Sequence, residues 1–92
     1  MSSMAEGTFE IINALGLHAR AAAQMVKVAN RYKSDITIEA NGQRANAKSI
    51  MGVLMLAAAQ GMQVTVTCKG EDAPACLQDI QKLIANRFGE SK

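Results

Sequence analysis

Aromatic side chains are scarce: tryptophan is absent, and one tyrosine and two phenylalanines are all that the 92 residues contain. With so few rings and no long basic run, the chain lacks a stacking platform for single-stranded nucleic acid. A formal net charge of +2 adds too little to hold a phosphate backbone. Only one histidine is present, His18, and neither cysteine lies near it in sequence, which leaves too few good ligands for zinc and no expected metal. Two cysteines do not make a disulfide framework. Cys68 alternates in phase with Val64 and Val66 as a small buried hydrophobe, Cys76 lies near the start of the last expected helix, and a reduced cytoplasmic protein is the economical reading. Long apolar runs are missing too: Ile50 to Ala59, with Gly52 inside, is too short to span a bilayer. Met1-Ser2-Ser3-Met4 has neither the basic start nor the apolar core of a signal peptide. No G-x-S-x-G elbow appears, and so short a chain has difficulty forming a hydrolase's deep cleft. The length fits one domain over residues 1–92, burying roughly 60% of its unfolded surface around a modest core.

What is present centres on Gly16-Leu17-His18-Ala19-Arg20, where an extended stretch gives way to the helix formers Ala21-Ala22-Ala23-Gln24-Met25-Val26. Gly16 supplies the permissive backbone of a tight strand-to-helix turn and puts His18 at or beside the N-cap. The first helical turn has N–H groups without intrahelical partners and a partial positive charge, so it can hold an anion next to the imidazole. Arg20 adds a full charge and a fork of donors suited to phosphate. The positive end opposes a further charge on the ring, and a nucleophilic nitrogen needs the neutral imidazole. A phosphorylatable histidine is the reading that uses all of these residues. A lone histidine at a helix start is more often a cap or a surface residue; the glycine, the arginine and a second motif downstream tip the balance.

In chain order, Thr8 to Ile12 is a first strand and Asn13 to Leu17 the active loop that follows it. Along the first helix, Ala22, Met25, Val26 and Ala29 recur at helical spacing and form the buried face, while Gln24, Lys27 and Asn30 look outward. Lys27, Arg31 and Lys33 make a solvated face. Asp35 to Glu39 alternates, Asn41-Gly42 is the preferred two-residue turn, and Gln43 to Ala47 returns as a strand with Ala45 and Ala47 inward. Ser49 is an N-cap to a helix reaching about Ala59, with Gln60-Gly61 as its stop. This helix is apolar nearly all round: Val53, Leu56 and Ala57 make one face, and Ile50, Met51, Leu54 and Met55 another. Periodicity leaves open whether both faces are core or the second is a protein-docking patch. Val64 to Cys68 is a fourth strand. Asp72 caps a last helix with Pro74 in its first turn and a stripe of Leu77, Ile80, Leu83, Ile84 and Phe88, and Gly89 to Lys92 is a frayed tail. The order β-α-β-β-α-β-α predicts an α+β open-faced two-layer sandwich, a four-stranded sheet with three helices on one face.

The segment Gly16 to Arg20, followed by Ala22-Ala23-Gln24-Met25-Val26, resembles the active-site segment of the HPr family, the histidine phosphocarriers of the bacterial phosphotransferase system. Lys48-Ser49-Ile50-Met51-Gly52-Val53 resembles that family's regulatory serine segment and lies at the expected distance downstream. The family usually has proline directly after the arginine, where this chain has Ala21; proline would pre-set the backbone of the first turn. The resemblance implies an antiparallel sheet. It also implies that His18, through ring Nδ1, accepts a phosphoryl group from phospho-enzyme I, itself charged by phosphoenolpyruvate. His18 then passes the group to an enzyme IIA domain, with Arg20 assisting both transfers and with no metal or organic cofactor bound. A carrier of this kind is a substrate of its partners rather than an enzyme. Ser49 becomes a candidate for a serine kinase and phosphorylase, and Ile50, Met51, Leu54 and Met55 for the docking patch. Two other readings are a regulatory phosphotransfer or interaction module not coupled to sugar import, and a metabolite-sensing domain with only a superficial likeness.

Overall fold

The computed structural model describes Ser3 to Lys92; Met1 and Ser2, part of the stretch read as no signal peptide, lie outside the described residues. The elements are β1 (Ser3–Glu10), α1 (Ala19–Ala29), β2 (Asp35–Ala40), β3 (Gln43–Asn46), α2 (Ile50–Met55), β4 (Gln63–Gly70) and α3 (Ala73–Ala85), followed by a 3-10 turn at Arg87–Gly89. Among the described residues the strands form one four-stranded sheet in the order β1-β4-β2-β3, antiparallel throughout. The helices cover one face, giving the expected open-faced α+β sandwich. Ile36, Ile38, Val64, Val66 and Cys68 of the sheet meet Met25, Val53, Ile80 and Ile84 of the helices in the buried core. No helix among the described residues is long and apolar enough to cross a membrane.

Several boundaries move for identifiable reasons. β1 starts at Ser3, earlier than Thr8, because its inward positions Ala5 and Gly7 carry almost no apolar signal. Gly7 has a packing role: a Cβ there would stand 2.6 Å from the Phe9 ring, which lies back over it. Ile11 has left the strand but is wholly buried, exchanging backbone hydrogen bonds with Gly61 (2.7 Å) and Met62 (2.8 Å). On α1 the buried face is Ala21, Ala22, Met25, Val28 and Ala29; Val26, expected among them, is only half-buried.

The helix expected to run to Ala59 ends at Met55. Its last bonds are the tighter i to i−3 kind, Leu56 N–H to Val53 and Ala57 N–H to Leu54. Ala57 then takes φ of +51°, and the Asn41 side-chain amide donates to the Leu56 carbonyl at 3.0 Å. Ala57 is therefore exposed rather than on the buried face, and Ala58 is buried in its place. At the other end of the sequence, Asp72 occupies the N-cap position of α3 without making a side-chain cap bond. Its carboxylate is used elsewhere, accepting from the backbone N–H groups of Lys33 (2.8 Å) and Ser34 (3.0 Å) and from the Ser34 hydroxyl (2.5 Å). Phe88 is buried but not on the helix: Arg87 and Phe88 both have φ of +55° and turn the chain back across the end of α1.

Candidate functional site

Three segments build the site. The loop after β1 is tightened by Gly16, whose φ of +66° and close approach to the Ala58 carbonyl both require the missing side chain. Leu17 is buried and donates its N–H to the same carbonyl at 2.9 Å. This pins the backbone immediately before His18, the N-cap of α1, with extended φ/ψ of −76° and −179°. The first intrahelical bond is Ala22 N–H to the His18 carbonyl at 2.8 Å, so the N–H groups of Ala19, Arg20 and Ala21 have no partner within the helix. Neither does the His18 side chain cap them. The imidazole is partly exposed, at 28% for its side chain, and shares an open cleft with exposed Arg20, Leu15, Gly89 and Lys92 and with the more deeply set Glu90.

The third segment is the chain end that was expected to fray. Glu90 places one carboxylate oxygen against His18 Nε2 and the other 3.0 Å from the side-chain amide of Asn13. Asn13 is fully buried, and the same amide donates to the Gly16 carbonyl at 2.8 Å. Lys92 accepts the Ala14 N–H through its backbone carbonyl at 3.1 Å. The contact with His18, and after it the Asn13 amide, hold the Glu90 carboxyl below its usual range; the nearby Arg20 charge acts in the same direction.

Ser49 stands apart from this cleft. It is the N-cap of α2, and its hydroxyl accepts the Gly52 N–H at 3.1 Å. Ile50, Met51 and Met55 are exposed at 42%, 67% and 71%, whereas Leu54 is half-buried against the core. The apolar face left open by periodicity is thus uncovered at three of its four positions.

A family model described as the PTS HPr component phosphorylation site matches residues 5–86. The chain belongs to the HPr family. It is 44% identical over 87 residues to the phosphocarrier protein HPr of Xylella fastidiosa strain Temecula1, an alignment covering 95% of this chain and 98% of that protein. The fold matches the crystal structure of HPr from Thermoanaerobacter tengcongensis with a TM-score of 0.91 at 40% identity, covering 96% of this chain and 99% of that one. Crh of Bacillus subtilis, described as a catabolite repression protein, matches at 39% identity with a TM-score of 0.73, covering 86% and 91% of the two chains. The HPr relatives are phosphocarrier proteins by name, and membership of their family supports phosphocarrier character for this chain.

Sequence reasoning missed Glu90, and it placed Asn13 in the loop before His18 without giving its side chain a role. Neither sits in a motif. The one legible signal was Phe88 at the end of an apolar stripe: a buried ring so near the terminus anchors whatever follows it.

Proposed function

We propose that His18 is the phosphoryl acceptor of this HPr-family chain, taking the group from phospho-enzyme I and delivering it to an enzyme IIA domain in the cytoplasm. The observation that carries the reading is the placement of His18 itself. It is the residue before α1, partly exposed, next to three backbone N–H groups with no partner in the helix and beside Arg20. Phosphoryl transfer depends chiefly on positioning and charge stabilisation, and this arrangement offers donors and a cation to a phosphoryl group on the ring. An open cleft also lets two different protein active sites approach in turn. Ile50, Met51 and Met55 are the patch we assign to partner docking, with Leu54 at its base. Their exposed apolar surface is unfavourably hydrated, and a covering partner would remove it from water. Ser49, at the edge of that patch, is the site we assign to a regulatory serine kinase.

The test is intact-mass measurement after incubation with phosphoenolpyruvate and enzyme I, followed by acid treatment. One acid-labile phosphoryl group is expected on the wild type and none on His18→Ala, with the circular dichroism of the two proteins alike. Full labelling of His18→Ala would place the acceptor elsewhere. Arg20→Ala should still accept, more slowly, because the helix N–H groups remain; unchanged rates in both directions would remove Arg20 from the machinery. The match to Crh favours one second reading, a regulatory phosphotransfer module not coupled to sugar import. Phosphorylation of His18 with no onward transfer to any enzyme IIA domain would select it.

A further inference from the structure

We infer that Glu90 is a positioning residue for phosphoryl transfer at His18, held in place by Asn13. This rests on the reading of His18 as the acceptor and assigns a mechanism to the segment behind it. An ionised carboxylate can only accept hydrogen bonds, so the ring nitrogen facing Glu90 must be the one that carries the proton. That nitrogen is Nε2. A neutral imidazole has a single N–H, so its lone pair is left on Nδ1, which makes Nδ1 the nucleophile. The logic is that of a buried carboxylate fixing the tautomer of a catalytic histidine.

The charge balance follows from the same contact. The Nδ1 lone pair forms the N–P bond as the bond from phosphorus to the donor atom breaks, and that bond's electron pair stays with the donor. The Nε2 proton remains on the ring, so the ring becomes cationic while its N–H still points at the Glu90 carboxylate. On delivery the N–P pair returns to Nδ1, and no proton need leave the ring in either direction. Glu90 lies against Nε2, on the other ring nitrogen from the phosphoryl group, so its charge supports the ring and not the phosphate.

Glu90 is fixed on both sides. Phe88 is buried at 3% exposure before it, and the Lys92 carbonyl accepts the Ala14 N–H after it. The Asn13 amide ties the second carboxylate oxygen to the Gly16 carbonyl, and so to the loop that carries His18.

Two measurements on the full chain test this, using wild type, Glu90→Ala and Glu90→Gln, with circular dichroism confirming the fold. Nitrogen-15 NMR of the His18 ring should show the Nε2–H tautomer dominating in the wild type, a mixed population in Glu90→Ala, and recovery in Glu90→Gln, whose amide oxygen still accepts. Phosphorylation by phosphoramidate, a small donor that needs no docking, should slow roughly ten- to hundredfold in Glu90→Ala, the range seen when the carboxylate behind a metal-bound imidazole is removed. An unchanged tautomer, or an unchanged rate with phosphoramidate, overturns the inference; slowing confined to the enzyme I reaction would show that Glu90 serves docking instead. Failure of wild-type His18 to take phosphate from either donor would instead overturn the reading beneath it.

Discussion

The carbonyl oxygen of Ala58 lies 2.5 Å from the point where a Cβ on Gly16 would stand. Gly16 also has φ of +66°, so a side chain there meets two obstacles, a left-handed backbone and a carbonyl already committed to Leu17. Gly16→Ala should cost about 1–3 kcal/mol of stability. Because His18 follows two residues later, it should also slow phosphoryl acceptance. Urea unfolding and the acceptance rate check both; an unchanged midpoint would mean the loop relaxes away from Ala58 without penalty.

Asp72 links two turns rather than capping a helix, and its stability contribution depends on pH. The Ser34 hydroxyl, with the Lys33 amide next, lowers the Asp72 carboxyl below its usual 3.8. A folded-state value below the unfolded one adds stability that is present above the unfolded value and lost as pH falls through the folded one. Asp72→Ala should therefore melt below the wild type at pH 7, and the gap should narrow as pH drops below about 3.8. Amide exchange locates the effect: faster exchange at Lys33 and Ser34 is expected, with the first turn of α3 little changed. The opposite distribution would restore Asp72 as a helix cap.

These two residues show what the sequence could and could not disclose. Gly16 was legible because a glycine before a helical run has one local job, and local jobs leave local signals. The same holds for Ser49, the Asn41-Gly42 turn and the alternation of Val64, Val66 and Cys68. Asp72 looked like a cap by its position, and a tertiary partner 38 residues away outbid the local one. The end of α2 was hidden for a similar reason. Nothing in Leu56-Ala57-Ala58-Ala59 opposes helix, yet the Leu17 N–H and the Asn41 amide claim carbonyls there. In the site, His18 and Arg20 fall within one motif, whereas Glu90 reaches His18 across 72 residues and through a left-handed turn at Arg87 and Phe88.

Ala21 stands where the family usually has proline, and the structure makes that exchange testable. It is the third residue of α1, and its N–H precedes the first intrahelical bond, which Ala22 donates. Ala21→Pro thus removes a donor that the helix does not use, while restricting the unfolded chain. A gain of about 0.4–1 kcal/mol is expected, read as a raised melting temperature. Ala21 is fully buried, so a clear fall would show that the space in front of its nitrogen is already filled.

Ser49 is where stability and regulation separate. Its hydroxyl accepts the Gly52 N–H at 3.1 Å, so Ser49→Ala should cost about 0.5–2 kcal/mol through loss of the cap. A phosphate on Ser49 is a different perturbation: it still offers acceptor oxygens at the start of α2, where negative charge is favourable, so the fold should persist. Its effect should fall on partners. Ile50, Met51 and Met55 are exposed immediately after Ser49, and a dianion at the edge of that apolar patch must be desolvated when a partner covers it. Ser49 phosphorylation, and Ser49→Asp more weakly, should therefore slow phosphorylation of His18 by enzyme I, mainly by weakening encounter. With phosphoramidate as donor there is no surface to cover, and the rate should hardly change. The comparison is made over a range of carrier concentrations, with circular dichroism as the folding control. Equal apparent affinity and rate with enzyme I for the modified and unmodified forms would leave Ser49 as a helix cap alone, and slowing with phosphoramidate as well would move the effect from the docking surface to the His18 site itself.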